Sequence, residues 1–374
     1  MRVIHGLKSW KVRAGFLLGV LGLFVVYGSS GVSGEVSHRS SLAASSLEIS
    51  ADGSVIVSSD RSNRVALWDG DSLKLREIKS GYPANTCDFE ISPDGKVFGS
   101  SDRGFTLWDV ATGKLRFTSQ DQSGSVYDIS FSPDGKLFAN TSFDGSVKLW
   151  DVDSGRLRMT LKGHKGYVTS AKFSPDGRKL ASSGSDGAIK IWDVSSGKVQ
   201  ETIMLWPDSS NYVCFSDDGD TLFVANSGTL ALDLRTGKKK FELKTPGYWT
   251  EFQDYSAKTS TLVTSAWKLG TEEIIVSLWD SHTGALKRTL DGIVGVTCAH
   301  FSPDGSLLMI CSVNESFLAS DGNWGSTIRL WDVAEGKMVA SKEFPKFHVK
   351  GADFTPDSST IIYDEDGLKK WRVR

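Results

Sequence analysis

Six histidines, four cysteines and 45 acidic residues are the side chains of this 374-residue chain that hold metals, attack electrophiles or carry protons. Their spacing offers little such chemistry. His5, His38, His164, His282, His300 and His348 are dispersed. No His-Glu-x-x-His pair sets two imidazoles on one helix face for a metal, and neither a nucleophile elbow nor a phosphate loop occurs. Asp217-Asp-Gly-Asp220 and Asp364-Glu-Asp-Gly367 are rich in carboxylates but lack calcium-loop spacing, so they read as solvated turns. His300 falls in a strand position that Glu90, Ser130, Lys172 and Asp353 fill elsewhere, which reads as a variable polar slot. Cys87, Cys214, Cys298 and Cys311 are too few for a disulfide framework and fall in predicted strands, where a free thiol packs as a small hydrophobe. Only Cys298 and Cys311 share a hairpin; two unpaired buried thiols are expected there, because most cross-strand geometries strain the bond. No catalytic residue, metal or cofactor is assigned, and the chain is expected not to be an enzyme.

The chain opens on a different kind of element. Arg2, Lys8, Lys11 and Arg13 precede an uncharged run, residues 14–34. Its apolar part, residues 14–27, would span about 21 Å as a helix, short of the ~30 Å hydrocarbon core. Small residues follow, among them Gly28, Ser29, Ser30 and Gly31. Residues 1–31 read as a signal peptide or a signal anchor. Either leaves the basic end inside and puts the rest outside the cytoplasm, secreted, periplasmic or tethered to the membrane by this segment alone. The net charge of −2 gives no pull toward nucleic acid or anionic lipid. A hydrophobic share of 39% excludes a disordered chain, and 38 glycines against 9 prolines point to many tight turns.

A repeat fills residues 32–374. Phe131-Ser-Pro-Asp-Gly135, Phe173-Ser-Pro-Asp-Gly177 and Phe301-Ser-Pro-Asp-Gly305 are its clearest copies, with looser ones from Ile49, Ile91, Phe215, Tyr255 and Phe354. These anchors step by 42, 40, 42, 42, 40, 46 and 53 residues. Pro, Asp and Gly suit successive positions of a turn, and apolar residues flank it, so each block predicts a hairpin. Seven residues after every anchor stands another apolar residue: Ile56, Phe98, Phe138, Leu180, Leu222, Leu262, Leu308 and Ile361. Alternating runs such as Val147-Lys-Leu-Trp-Asp151 and Ile189-Lys-Ile-Trp-Asp193 predict a third strand, and a glycine five residues past the Trp turns the chain into a fourth. The units fall near 47–80, 87–118, 127–162, 169–205, 211–244, 250–290, 296–343 and 350–374.

The Phe-Ser-Pro-Asp-Gly hairpin, the Ser-Asp-Gly turn at 185–187 and the Ile-Lys-Ile-Trp-Asp strand resemble the WD-repeat β-propeller family. The resemblance implies an all-β, eight-bladed propeller of four-stranded antiparallel blades, preceded by the hydrophobic targeting segment. That family's structural hydrogen-bond set is matched in full only by His164, Ser182, Asp186 and Trp192. The eighth unit ends after its third strand, which would leave an open sheet edge. The spacing predicts that residues 32–38 supply the missing fourth strand, closing the ring as WD-repeat proteins do.

The resemblance also implies where partners bind. Extra length falls between the second and third strands of units six and seven, at 266–273 and 313–326, on what would be the top face. Of 12 tryptophans, Trp206, Trp249, Trp267 and Trp324 lie outside both the leader and the strand motif and map to top-face loops. Tyr248, Phe317 and Phe347 map nearby. Clustered exposed aromatics signal binding, so these seven are the candidate partner-binding residues of a monomeric, extracytoplasmic protein-interaction scaffold. Two alternatives stand beside it. Thr229-Leu-Ala-Leu-Asp-Leu-Arg-Thr-Gly237 resembles the blade motif of eight-bladed quinoprotein enzymes, although only the fifth unit has it, and aromatic loops also suit glycans.

Overall fold

A computed structural model describes residues 44–373 apart from 51, 61–64, 80–88, 102–103, 121–125, 127, 206–211, 227, 246–248, 268–273, 291, 294, 314–324, 346–348, 350 and 366. The leader and the proposed closing strand, residues 32–38, lie outside the described residues. All regular structure among the described residues is β-strand. Among the described residues seven antiparallel sheets have four strands in sequence order, and an eighth has three. The eight blades run over 44–79, 89–120, 129–162, 168–204, 212–243, 249–290, 296–344 and 352–372.

The repeat arithmetic is a statement about strand register. Each anchor pairs with the apolar residue seven positions on: Ile49 with Ile56, Ile91 with Phe98, Phe131 with Phe138, Phe173 with Leu180, Phe215 with Leu222, Tyr255 with Leu262, Phe301 with Leu308 and Phe354 with Ile361. That partner pairs in turn with the Trp position, as Phe138 does with Trp150 and Leu222 with Leu232. A row of three apolar residues therefore crosses every blade. Seven blades also carry a bulge where the third strand meets the fourth, beside the Trp position, as between Leu149 and Trp150.

The turns that set this register are held by their own polar residues. In blade three Ser132 donates its hydroxyl to Asp134 at 2.7 Å and accepts the Leu137 N–H at 2.9 Å, while Gly135 turns back at φ 69°. Blade eight has Ser358 in the glycine's place, and it takes the same left-handed conformation at φ 58°.

No blade has a core of its own. Each apolar cluster lies between two neighbours: Phe105 and Leu107 of blade two meet Ile129 and Phe138 of blade three, and Val147 and Leu149 of blade three meet Val168 and Trp192 of blade four. The same holds around the ring, including the seam, where Leu47, Ile56 and Trp68 of blade one pack on Ile362 and Leu368 of blade eight. The first strands of blades one and eight are also in contact. First strands thus gather about the axis and fourth strands form the rim.

Phe138 is fully buried, with its ring 4.8 Å from Phe105 and 5.0 Å from Phe131. Phe138→Ala is expected to cost about 3–5 kcal/mol, since the rigid sheets on both sides cannot collapse into the cavity. Urea unfolding followed by tryptophan fluorescence measures this; a loss under about 1 kcal/mol would mean that the blade faces are not tightly packed.

Candidate functional site

A meander of antiparallel strands sends its first-to-second and third-to-fourth turns to one end of the ring. The second-to-third turns and the crossings between blades go to the other. On that second end blade four builds a chain of hydrogen bonds. Trp192 donates its indole N–H to Ser182 Oγ at 2.8 Å, Ser182 Oγ lies 2.8 Å from His164 Nε2, and His164 Nδ1 lies 3.0 Å from Asp186 Oδ1. Since Ser182 accepts from Trp192, its own hydrogen goes to Nε2, and His164 donates from Nδ1. Asp186 also accepts the backbone N–H groups of Lys165 and Ala188. Burial lowers the His164 pKa, with Asp186 opposing, so the ring is neutral in the fold. The expected set of His164, Ser182, Asp186 and Trp192 is therefore brought together, as a lock between a crossing and its blade.

Other blades keep half of this lock. Trp68 donates to Ser58 at 2.8 Å, Trp150 to Asn140 at 2.7 Å and Trp279 to Thr264 at 2.8 Å. In blade five Leu232 replaces the Trp and Val224 fills the acceptor's place, so donor and acceptor are lost as a pair. Blade seven breaks the pattern: Ile310 stands in the acceptor's position, and the Trp331 N–H is buried without a partner. The stretch that resembles quinoprotein motifs begins in the third strand of blade five, where Thr229, Leu230, Ala231 and Leu232 are buried.

Of the seven aromatic candidates, Trp206, Tyr248, Phe317, Trp324 and Phe347 lie outside the described residues. The other two are placed in strands rather than loops. Trp249 begins the strand Trp249–Ser256, Trp267 ends Thr261–Trp267, and the two are directly opposite in register. Pairing of Trp267 with Ile274 carries that hairpin two residues further than the other blades' spacing implied. The excess length in blade six is thus shared between longer strands and the connection 268–273. In blade seven the connection at 314–325 carries nearly all of it. An aromatic pair that sequence reasoning missed stands on this same end. Phe143, 54% exposed, stacks on Tyr167 with centroids 5.7 Å apart and planes 4° from parallel. Phe143 sits in the second-to-third turn of blade three, before Asp144-Gly145, where blade four has Ser185 before Asp186-Gly187.

The polar slot that contains His300 proves to be a ring. Glu48, Glu90, Ser130, Lys172, Cys214, Asp254, His300 and Asp353 each precede an anchor on the innermost strand. Its acids reach across blade boundaries to backbone N–H groups. Glu48 accepts from Ile91 at 2.8 Å, Glu90 from Phe131 at 3.4 Å and Asp254 from Phe301 at 2.8 Å. Between blades three and four Asp128 does this work, accepting from Ala171 at 2.9 Å, Ser170 at 2.8 Å and the Lys172 ammonium at 2.9 Å. Burial, with Glu90 nearby, pushes Glu48 up to about 8, and burial pushes Glu90 up to about 7. Among the described residues no group of three or more His, Cys, Asp or Glu is placed to hold a metal.

The repeat model described as WD domain, G-beta repeat matches residues 113–151, 155–193 and 284–332. The chain is an eight-bladed propeller that carries WD repeats in these three stretches. Two uncharacterized WD repeat-containing proteins of Deinococcus radiodurans are similar to it, one 30% identical over 25% of this chain and 32% of its own length, the other 36% identical over 23% and 29%. Eukaryotic translation initiation factor 3 subunit I of Schizosaccharomyces pombe is 32% identical over 24% of each chain. The matched stretches thus span a third or less of each relative's length. The propeller also resembles the computationally designed Ika8 protein, with a TM-score of 0.70 and 20% identity over 89% of this chain and 97% of that one, a likeness of fold alone. The family matches include blade four with its full hydrogen-bond set, and blade seven despite its long connection.

The inner ring gives this propeller a pH signature. Between the unfolded value of 4.5 and about 8 the folded protein holds the Glu48 proton that the unfolded chain releases. Stability from this group is full below pH 4.5 and is lost as pH rises through about 8. His164 acts in the opposite sense: its lowered pKa makes stability fall as pH drops below the ordinary 6.5. Glu48→Gln keeps an acceptor for Ile91 and removes the titration. The variant is expected to gain on the order of 2 kcal/mol relative to wild type between pH 5 and 9. Denaturant midpoints across that range measure it, and parallel curves would contradict it.

Proposed function

We propose that this propeller is a non-enzymatic scaffold that docks a protein partner on the end of the ring bearing the second-to-third turns and the blade crossings, and that it does so outside the cytoplasm. A WD-repeat propeller suggests a protein-interaction scaffold. The observation that carries the choice of end is the length of its connections. The second-to-third connections of blades six and seven, 268–273 and 314–325, are the longest of their kind and sit on an otherwise uniform ring. Long loops on rigid scaffolds carry recognition. The aromatic residues of blades five to seven, Trp206, Tyr248, Trp249, Trp267, Phe317, Trp324 and Phe347, are the contact residues of this reading. The exposed Phe143 and Tyr167 stack supports it, because it puts further aromatic surface on the same end. Aromatics of this kind supply a large share of interface energy. The export half rests on the basic start and short apolar run of residues 1–31.

Two double variants test the proposal, Trp267→Ala with Trp324→Ala and Phe143→Ala with Tyr167→Ala. Each is compared with wild type in quantitative capture from an extracytoplasmic extract, after circular dichroism has shown an intact fold. The first variant is expected to lose at least tenfold in capture of the partner that wild type enriches. An unchanged profile in both variants would overturn the choice of end.

A further inference from the structure

One pair of reactive side chains lies at the interface between blades seven and eight. Cys298 and Cys311 are directly opposite each other on adjacent antiparallel strands, and both are free. Opposed residues of such a pair have Cα atoms about 4.5–5.5 Å apart, inside the range that a disulfide spans. Cys298 packs with Cys311 against the same cluster between blades seven and eight, so the two side chains lie on one face of the sheet. His300 follows two residues later on that strand and shares the face with Cys298. It is exposed, whereas Cys298 is half-buried and Cys311 is buried. Asp254 of the preceding blade and Asp353 of the following one both act on His300 by charge.

We infer that Cys298 and Cys311 are a redox couple, in which Cys298 reacts with a hydroperoxide and Cys311 resolves the product to a disulfide. The cluster divides the two roles. Cys311 and His300 beside it hold the Cys298 thiol well below its ordinary range against the effect of burial. The same contact pushes Cys311 up, so it stays a neutral thiol. Crowding at the axis would by itself lower His300, although its ring keeps open surface, but Cys298 beside it and the charges of Asp254 and Asp353 raise it to about 10. Cys298 is therefore the more accessible and the more acidic thiol of the pair, with His300 on the same face to exchange its proton.

The chemistry balances. The Cys298 thiolate attacks the terminal oxygen of the hydroperoxide, forming S–O as O–O breaks, and His300 gives its proton to the departing alkoxide. Neutral His300 then takes the Cys311 proton. The new thiolate attacks the Cys298 sulfenic sulfur, forming S–S as S–O breaks, and hydroxide leaves with that proton as water. Two thiols lose two electrons, and the hydroperoxide becomes an alcohol and water.

Both cysteines lie in the single tryptic peptide 289–329, so the disulfide is read as a loss of two hydrogens with both thiols refractory to iodoacetamide. Reduced full-length protein is treated with one equivalent of hydrogen peroxide at pH 7. The expected product is that peptide in its disulfide form, with Cys214, whose thiol burial pushes up to about 12, still alkylatable. In Cys311→Ser, dimedone is expected to trap a sulfenic acid on Cys298. In His300→Asn, oxidation is expected to slow at least tenfold, and the pH midpoint for alkylation of Cys298 to rise toward that of an ordinary thiol. Wild type alone suffices should a variant fail to fold, because Cys298 is expected to alkylate at least ten times faster than Cys214 at pH 7. Equal rates for those two, or peroxide-treated protein with Cys298 and Cys311 both still alkylatable, would overturn the proposal.

Discussion

The constraint on which everything here depends is that a four-stranded sheet with two apolar faces has nothing to bury them against except its neighbours. Each cluster of buried side chains bridges two blades, and the set runs all the way round to the seam between Trp68 and Ile362. A stack of such sheets is stable only when it has no end faces, which a ring achieves. The period of about forty-two residues follows from this. Every unit must deliver the same row of anchor, partner and Trp position to its neighbour, so extra length falls beyond that row, in strand ends such as Trp267 and in connections such as 314–325.

The same geometry creates a problem at the axis. The innermost strand of each blade has an edge with no strand beyond it, and its N–H groups need acceptors. Glu48, Glu90, Asp128 and Asp254 answer this from the preceding blade, accepting from Ile91, Phe131, Ala171 and Phe301. Burial, with other carboxylates nearby, makes Glu48 and Glu90 hold their protons to higher pH. Lys172, which bonds Asp128, and His300, between Asp254 and Asp353, bring the compensating charges. Polar groups in a propeller's middle thus have a structural origin before any functional one.

Much of the fold was legible in the sequence because it is repetitive. The seven-residue offset was visible in all eight units and became eight observed register pairs, and the full His164, Ser182, Asp186 and Trp192 set was found where it was expected. The axis ring was harder to see. Its members have different chemistry and stand about forty residues apart, so Glu, Lys, Cys and His at one register position look like a variable slot until eight strands converge. Trp249 and Trp267 lie outside the repeated strand motif and so look like loop residues, but the strands Trp249–Ser256 and Thr261–Trp267 extend far enough to include them. Phe143 stands beside Asp-Gly in a turn, and its one signal in the sequence is that it replaces Ser185 of blade four.

The central claim is that the blades form a closed ring in which the seam is as firmly packed as any other interface. Native-state hydrogen exchange resolves it by strand. The account expects the amides of residues 55–57 in blade one and 361–363 in blade eight to exchange in the same slow class as those of 138–140 and 180–182 in blades three and four. Exchange of the two seam strands with an opening free energy several kcal/mol below that of the others would show an open ring and contradict the account.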